Sequence, residues 1–469
     1  MLALRNWQLE SREEPVIRVG IVLPEDRAAR LELEAAKRDW VLTSADAHAL
    51  PASGRLEFSA QGSVVYGRAG DAAIGAAPRW RISSSGALAG SSQILAGVAP
   101  LVRVRGVRTG RGFHWQKTTD IDLPGEFEVS AHDDRLILVN EVPVEAYLAG
   151  VITSEMSGAC PLEFLKSQAI TARSWLLART EDKHRDLGID YCNDDCCQRY
   201  QGLPELSDSA RGAILATYGQ VLVHESGVIV DANYSKSCGG IVESPEHVWG
   251  FAKPGQYAVA DAPPGRATAG FFGDCNERLD EYLEGDWLAH CDAYCSPNTV
   301  PDADLGRYLG RVDDGCGRFR WSVEYGRAEL EDILRAKYFD RVGPAEAAPL
   351  ETLVDLIPRA RGRSGRITSL AIRYFDPGKK ARTSTIQDQY WIRHALSSSF
   401  LYSSAFAPEV VPGDDGRAAR IRLVGAGWGH GAGLCQIGAL GMALRGHSAD
   451  VIMRQYFERS ALRSLYDPP

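Results

Sequence analysis

Four residues that bind metal ions lie in one short stretch of the chain. His184, Cys192, Cys196 and Cys197 all fall between residues 184 and 197. Thiolate and imidazole are the ligands that zinc prefers. The spacing is not that of a CxxC knuckle, and two vicinal cysteines do not easily bind one ion. The stretch therefore predicts at most three ligands, with a fourth from elsewhere. Disulfides in an oxidising compartment and free thiols are the alternatives.

Glu155 is the first candidate for acid–base chemistry. It follows Tyr147 and Val151 at i+4 spacing, so it continues the apolar stripe of a predicted helix. A carboxyl group on such a stripe loses contact with water, which raises its pKa as a general acid requires. The alternatives are a buried carboxylate paired with Arg173 and a helix end that faces solvent.

A glycine-rich loop at 425–433 is the second candidate. Glycine recurs at alternate positions, and Trp428 and His430 are the functional side chains within the loop. Tryptophan stacks on sugars and histidine supplies hydrogen bonds, so the pattern favours a sugar site over a tightly packed turn. The loop lacks the Lys-Ser/Thr pair of a phosphate loop, which excludes that form of nucleotide binding.

The remaining cysteines form a second question. Cys275, Cys291, Cys295 and Cys316 lie in a region of changed composition and could bind zinc or form two disulfides. Cys160, Cys238 and Cys435 are predicted to be single, small buried residues.

Helices and strands in separated runs must position these groups. Apolar spacing predicts one helix that starts at about residue 144, a second over 161–179 and a third over 435–445. A further helical period covers 26–38. Short strands dominate the rest, including a hairpin from 220 to 235. The pattern predicts an α+β fold, and not a doubly wound parallel sheet.

Composition sets the outer limits. The chain has 469 residues, 45% hydrophobic and 24% charged, with a formal net charge of −9. These are globular proportions, and the negative charge argues against a general nucleic-acid binder. We expect four regions: β-rich 1–99, a core in two parts at 100–264 and 346–469, and a cysteine-containing insertion at 265–345. No apolar run of about 18 residues predicts a transmembrane helix, and the first twenty residues lack the pattern of a signal peptide.

Five motifs in a fixed order carry a family resemblance. They lie at 140–156 (NEVPVEAYLAGVITSEM), 161–173 (PLEFLKSQAITAR), 197–202 (CQRYQG), 234–240 (YSKSCGG) and 427–442 (GWGHGAGLCQIGALGM). Together they resemble the SpoIID/LytB proteins of bacterial cell-wall remodelling. The resemblance covers roughly 100–260 and 366–460, and leaves the insertion unexplained.

The resemblance implies a β-rich α+β fold with a few helices around a substrate groove. It implies a sporulation-like lytic transglycosylase that cleaves the MurNAc–GlcNAc bond of peptidoglycan, with Glu155 as the single acid/base. The expected glycan-binding residues are Gln168, Arg173, Ser237, Trp428, His430 and Gln436. A structural zinc is expected on His184, Cys192 and Cys197, with Cys196 as a further ligand.

The same family also contains amidase enhancers, which gives a second hypothesis. In it, the protein binds peptidoglycan without cleaving it and stimulates a cell-wall amidase. Both hypotheses place the protein in the cell envelope, outside the cytoplasm. The absence of a signal-peptide pattern makes a cytoplasmic location the alternative.

Overall fold

The chain forms two compact units. The computed structural model describes residues 13–35, 40–44, 49–52, 55–84, 88–113, 115–178, 180, 182–262, 292–310, 319–413 and 417–468. Unit one comprises Met1–Leu222, Arg307–Asp314 and Leu462–Pro469. Unit two comprises Val223–Gly306 and Gly315–Ala461. The α+β prediction is confirmed.

Unit one is built on two antiparallel-rich sheets. Its strands are β1 (Val16–Val22), β2 (Arg30–Ala35), β3 (Trp40–Ser44), β4 (Ala49–Ala52), β5 (Arg55–Gln61), β6 (Val64–Ala69), β7 (Ala72–Ala77), β8 (Arg79–Ser84), β9 (Val102–Thr109), β10 (Lys117–Leu123), β11 (Glu126–His132), β12 (Arg135–Pro143) and β13 (Tyr191–Cys192). The seven-stranded sheet has the order β13-β1-β12-β11-β8-β3-β4. The six-stranded sheet has the order β10-β9-β2-β5-β6-β7.

The helix predicted over 26–38 is wrong. A short 3₁₀ turn covers Pro24–Asp26, and β2 then follows. Leu31 and Leu33 are buried while the residues between and beside them are more exposed. This alternation has the period of a strand, and a few charged residues between leucines imitate a helical spacing over so short a run.

The helices of unit one agree with the predictions. They are α1 (Ser91–Leu95), α2 (Val144–Glu155), α3 (Leu162–Ala178) and α4 (Asp208–Ala216). A 3₁₀ turn covers Arg185–Leu187. Pro143 precedes the first turn of α2, and Pro161 precedes α3, where a missing backbone N–H costs nothing.

The compact units do not follow the expected boundary at 99/100. Strand β2 pairs with β9, and β8 pairs with β11, so residues on both sides of this boundary share both sheets. A division there would break two sets of backbone hydrogen bonds. The division between units falls instead at 222/223.

Unit two combines smaller sheets with helices. Its strands are β15 (Tyr234–Ser235), β16 (Arg320–Gly326), β17 (Thr352–Arg361), β18 (Ile367–Phe375), β19 (Ala381–Gln387), β20 (Phe406–Pro412), β21 (Ala418–Ala426) and β22 (Leu434–Cys435). Its helices are α5 (Glu246–Trp249), α7 (Arg327–Leu334), α8 (Asp340–Val342), α9 (Gln389–Ala395), α10 (Gln436–Leu444) and α11 (Ala449–Tyr456), with a π-helical turn at Arg335–Phe339. Strand β14 (Gln220–His224), helix α6 (Asp302–Tyr308) and strand β23 (Ser460–Ser464) lie where the chain passes between units.

The core of unit two forms around two three-stranded sheets, β16-β21-β20 and β17-β18-β19. Trp321, Leu330, Ile372 and Phe406 are among its buried residues. This core crosses the expected boundary at 345/346, because β16 before it pairs with β21 after it. In the described part of the chain, no helix combines the length and apolar character needed to span a membrane.

Candidate functional site

Glu155 is the last residue of α2. Tyr147 and Val151 of the same stripe are fully buried, and Glu155 retains 8% exposure. The predicted spacing is therefore confirmed in the helix. The helix end brings this carboxyl group close to the surface of unit one.

The segment that follows the cysteine cluster packs along α2 and fixes one contact to Glu155. The backbone N–H of Arg199 donates to Glu155 Oε1 at 3.1 Å. One residue later, Tyr200 packs its ring against Tyr147 and donates to Asn140 Oδ1. Gly150 allows this approach, because a Cβ there would lie 2.6 Å from the Tyr200 ring. The Cys-Gln-Arg-Tyr-Gln-Gly motif thus holds Arg199 against the end of α2.

A second carboxyl group lies in the same place. Asp195 accepts from Arg199 Nε at 2.5 Å and from Nη2 at 3.3 Å. Burial raises the pKa of Asp195 to about 6; Arg199 opposes this rise, and the charge of Glu155 adds to it. The end of α2 therefore carries two acids that interact with each other and with one guanidinium group.

An aromatic pair lies beside Arg199. The Arg199 guanidinium group stacks 4.4 Å from the Trp115 ring centre, and Phe113 stacks on Trp115 at 6.2 Å. Both rings are half-buried. Asp194 holds their loop in place, because its carboxylate accepts from the backbone N–H groups of Gly110 and Arg111 at 3.0 and 2.8 Å. Aromatic faces next to a carboxyl group are suited to contact a sugar ring.

The His/Cys stretch folds into one cluster next to these residues. The ligand atoms of His184, Cys192, Cys196 and Cys197 lie within 4.8 Å of one another. Cys196 Sγ is 3.0 Å from Cys192 Sγ, 3.5 Å from His184 Nε2 and 4.0 Å from Cys197 Sγ. Hydrogen bonds from the two neighbouring thiols, and then His184, lower the pKa of Cys196 despite its burial. The vicinal cysteines thus converge, although the sequence led us to expect three ligands at most.

Two of the expected glycan-binding residues are enclosed by unit one. Gln168 and Arg173 are both fully buried on α3. Arg173 forms a two-point ion pair with Glu145, Nε to Oε1 at 2.8 Å and Nη2 to Oε2 at 2.5 Å. This differs from the expected groove contact, and it also excludes the pairing of Arg173 with Glu155, because both ends of the guanidinium group are used.

The glycine-rich loop of unit two is a tight crossing of backbone. Gly427, Gly429, Gly431 and Gly433 all have positive φ angles, which disfavour other residues. Cβ atoms at Gly431 and Gly433 would overlap the buried Arg366 side chain and the Asn233 carbonyl. The glycines therefore have a packing function, whatever the two side chains between them bind.

Trp428 and His430 remain half-buried in that loop. Trp249 lies 5.1 Å from His430, and Tyr402 lies 6.2 Å from Trp428. Burial and the nearby Arg393 and Arg366 lower the pKa of His430, so the imidazole is neutral at pH 7. Its Nδ1 accepts from the Ala432 N–H at 3.1 Å, which assigns the proton to Nε2.

The other two expected glycan contacts in unit two are buried. Ser237 is 0% exposed and pairs through its backbone with Trp428 in both directions, at 3.0 and 2.8 Å. Gln436 is 1% exposed at the start of α10. The residues expected to form one groove therefore divide between units: Glu155, Gln168 and Arg173 belong to unit one, and the other four to unit two.

The cysteines outside the His184 cluster also need correction. The seven described cysteines are free thiols. Cys238, Cys295 and Cys435 come together, so Cys238 and Cys435 are not isolated and Cys295 does not act within its own region alone. Cys275, Cys291 and Cys316 lie outside the described residues. Cys160 stands apart, with its Sγ 3.5 Å from the Tyr308 carbonyl.

Sequence reasoning missed the partners of Glu155. Arg199 lies inside the Cys-Gln-Arg motif, so its position beside a recognised segment was a usable signal. Asp195 stands between two cluster positions and was open to the same inference. Trp115 offered no such signal, because it is remote in sequence and meets Arg199 only through the fold.

Comparison with known proteins identifies the segment that contains this site. Residues 132–224 match the family model of SpoIID, stage II sporulation protein. The chain belongs to the SpoIID/LytB family. The SpoIID segment includes α2, the His184 cluster, Asp195 and Arg199. A second match, to a domain of unknown function (DUF8618), covers residues 306–433 in the other part of the chain.

Two relatives extend beyond the SpoIID segment. An uncharacterized protein of Brachyspira hyodysenteriae is 26% identical over 337 residues, which is 72% of this chain and 71% of that protein. The amidase enhancer of Bacillus subtilis is 23% identical over 322 residues, 68% of this chain. The chain spans 40% of the amidase enhancer's length.

Proposed function

We propose that this protein is a peptidoglycan lytic transglycosylase whose acid/base is Glu155. The observation that carries the proposal is the grouping around the end of α2 within the SpoIID segment. Glu155 there meets the Arg199 backbone, Asp195 and the Trp115 ring through one connected set of contacts. An acid, a neighbouring charge and an aromatic face are the parts that cleavage of a glycan needs.

The proposed reaction uses one carboxyl group twice. Protonated Glu155 gives its proton to the oxygen that links MurNAc to GlcNAc, and the C1–O bond breaks. The resulting carboxylate takes the proton of the muramic acid C6 hydroxyl, whose oxygen forms a new bond to C1. Glu155 is protonated again, and the product is a 1,6-anhydro end. Because the nucleophile is intramolecular, the second carboxylate of ordinary glycosidases is not required.

Arg199 and Asp195 have positioning functions in this proposal. The N–H of Arg199 fixes one oxygen of Glu155, and the Asp195 carboxylate fixes the Arg199 side chain. The guanidinium group covers one face of Trp115. Together they determine which oxygen of Glu155 points toward a bound sugar.

The His184 cluster fits a structural zinc. Its four ligand atoms are three sulfurs and one imidazole nitrogen, within 4.8 Å of one another, and this donor set matches a Cys₃His site. Such an ion would hold the loop from 192 to 197 and, through it, Asp195 and Arg199. In this proposal the zinc supports the site and does not take part in the reaction.

We further propose that the protein works in the cell envelope on peptidoglycan strands. A second function rests on a different observation, the similarity to the amidase enhancer of Bacillus subtilis. In that case the protein binds glycan and stimulates a cell-wall amidase. Trp428 and His430 would then contribute binding in unit two, since both are half-buried beside further aromatic rings.

The decisive experiment is incubation of the protein with glycan strands from which the peptides have been removed. Mass analysis should detect 1,6-anhydro-MurNAc ends. Glu155→Gln should lower their formation by about 10²-fold or more, because it removes the transferable proton. Glu163→Gln is the matched control: the same change on α3, where Glu163 pairs with Lys166, should leave the rate unchanged.

Three outcomes separate the two functions. Reducing ends in place of anhydro ends would identify a hydrolase. Equal activity of Glu155→Gln and wild type would remove Glu155 from the mechanism. Glycan sedimentation without any cleavage, together with faster product formation by an added amidase, would favour the enhancer.

A further inference from the structure

A second group of metal ligands lies in unit two, far from the SpoIID segment in sequence. It consists of Cys238, Asp261, Cys295 and Cys435, and all four residues are buried. One ligand atom from each lies within 4.8 Å of the other three. We refer to these four residues as the Cys₃Asp cluster.

The fold of unit two brings the four groups together from separate segments. Strands β15 and β22 pair in parallel, with Ser235 opposite Cys435. This pairing places Cys238, just after β15, next to Cys435, and the backbone N–H of Cys238 donates to Cys435 Sγ at 3.2 Å. The Cys295 N–H donates to Asp261 Oδ2 at 3.0 Å, which joins the other two ligands.

The distances fit a single ion. Cys238 Sγ and Cys295 Sγ are 3.7 Å apart. Two thiolates at about 2.3 Å from a tetrahedral zinc are separated by about 3.8 Å. A disulfide would require about 2.05 Å between the sulfurs. A four-iron cluster would hold its ligands further apart, because its own irons and sulfides lie between them.

The surroundings are those of thiolate and carboxylate ligands. Besides the Cys238 N–H, the Gly438 N–H donates to Cys435 Sγ at 3.3 Å, and the Gly240 N–H points at Cys238 Sγ at 3.4 Å. Tyr456 donates to Asp261 Oδ1 at 2.6 Å. Hydrogen bonds of this kind orient metal ligands and stabilise their charge.

The burial of Asp261 needs an opposite charge. Asp261 is 0% exposed, and within the described ranges no lysine or arginine forms an ion pair with it. An ionised carboxylate in such a place costs several kcal/mol unless a cation compensates it. Gly438 lets helix α10 approach closely, because a Cβ there would lie 2.5 Å from Asp261 Oδ1. The site is therefore closed around whatever neutralises it.

We propose that Cys238, Asp261, Cys295 and Cys435 bind one Zn²⁺ ion with a structural function, separate from any ion at the His184 cluster. On binding, the three thiols release three protons, and three thiolates and one carboxylate complete a tetrahedron. Four protein ligands leave no position for water or substrate, which is the pattern of structural zinc. The ion ties β22 and α10 to the loop after β15 and to the segment at 292–300.

The test is the metal content of the purified full chain, expressed with zinc and measured by elemental mass spectrometry. Wild type should contain two zinc ions per chain. Cys435→Ser should contain one, and Cys192→Ser combined with Cys197→Ser should also contain one. Cys160→Ser, a buried cysteine outside both clusters, should still contain two. These measurements do not depend on catalysis, so they stand apart from the proposed function.

Two results would overturn the proposal. One is a wild-type chain whose zinc is lost entirely in the Cys192→Ser/Cys197→Ser variant. The other is thiol titration of the denatured, unreduced chain that shows a disulfide between cysteines of the Cys₃Asp cluster. Iron with a broad visible absorbance at this site would likewise replace zinc as the conclusion.

A second pair of variants guards against loss of folding. Asp261→Cys supplies a fourth thiolate and should keep two metal ions, whereas Asp261→Asn should weaken binding at this site. With Co²⁺ as the probe, Asp261→Cys should show stronger sulfur-to-cobalt charge-transfer absorbance than wild type. Circular dichroism of each variant reports folding. Equal cobalt binding by a folded Asp261→Asn variant and wild type would remove Asp261 from the ligand set.

Discussion

The two cysteine clusters differ in how the chain builds them. The His184 cluster takes all its ligands from residues 184–197, and Cys196 within it is exposed. The Cys₃Asp cluster takes its ligands from residues 238, 261, 295 and 435, and every one of them is buried. A short closed loop costs little entropy, whereas bringing distant segments together costs more and requires the rest of the fold.

This difference separates their expected functions. An ion in the His184 cluster would order a loop that carries Asp195 and Arg199 beside Glu155. An ion in the Cys₃Asp cluster would join segments that otherwise meet only by packing. The first should therefore affect a local site, and the second the stability of a whole unit.

The largest effect is expected for Cys435→Ser. Loss of this ligand should destabilise unit two by at least about 5 kcal/mol, less than the roughly 10–16 kcal/mol of structural zinc in zinc-finger peptides, because the packed core remains. Cys435 Sγ also accepts from Gly438 N at the start of α10, and serine can replace it there. Thermal and denaturant unfolding would measure the loss.

Cys160→Ser provides the reference for that measurement. It makes the same atomic change at a buried cysteine of unit one, and its cost should be the ordinary 0.5–3 kcal/mol, marked here as a rough range for single substitutions. Equal destabilisation by both variants would contradict the special function of Cys435.

Unit one should depend on an ion pair in its interior. Arg173→Met removes the partner of Glu145, and both side chains have 0% exposure. Because an uncompensated carboxylate would remain buried, we expect a loss of about 3–5 kcal/mol in unfolding free energy. Glu145→Gln combined with Arg173→Met should recover part of it. A loss below about 1 kcal/mol in the single variant would show that unit one relaxes around Glu145.

The contrast between the clusters also explains what the sequence could reveal. The His184 cluster was visible because its ligands are close together in the chain. Cys238 and Cys435 looked like isolated residues, since only the parallel pairing of β15 with β22 brings them together. Asp261 carried no signal at all, because an aspartate becomes a candidate ligand only when its burial is known.

The same reasoning applies to the fold. Helices α2, α3 and α10 follow from long apolar spacings, and their observed ends lie within a few residues of the predicted ones. The helix predicted over 26–38 failed because β2 is short, and a strand of alternating leucine and charge imitates a helical pattern. The boundary at 99/100 failed because sheet pairing between β2 and β9 is not written in local sequence.

A smaller effect is expected for Cys196→Ser. Cys196 is the exposed member of the His184 cluster, so solvent can replace part of what the ligand supplies. We expect a loss of about 1–2 kcal/mol, within the range of ordinary substitutions. Unfolding of unit two should not change, and the rate of glycan cleavage should fall if the loop positions Arg199. An effect as large as that of Cys435→Ser would erase the proposed difference between the clusters.

The smallest effect concerns unit two away from its cysteines. His247 Nδ1 lies 3.1 Å from Glu243 Oε1, with 35% of the His247 side chain exposed. The hydrogen bond to Glu243 raises the pKa of His247 against the opposing effect of burial, and Glu246 adds to the rise while Arg363 reduces it. Burial opposes ionisation of Glu243, but hydrogen bonds from His247 and Ser364 outweigh it and lower its pKa.

The sign of the pH dependence follows from the folded state holding the His247 proton more tightly. The stabilisation by this pair is complete below the unfolded pKa of histidine, near 6.5, and is lost as pH rises through the higher folded value. Solvent screening limits it to below about 1 kcal/mol. His247→Gln should therefore flatten the decrease in unit-two stability from about pH 6 to pH 8, measured by denaturant unfolding with zinc in excess. An unchanged slope in this variant would assign the pH dependence to other groups, the thiols of the Cys₃Asp cluster first among them.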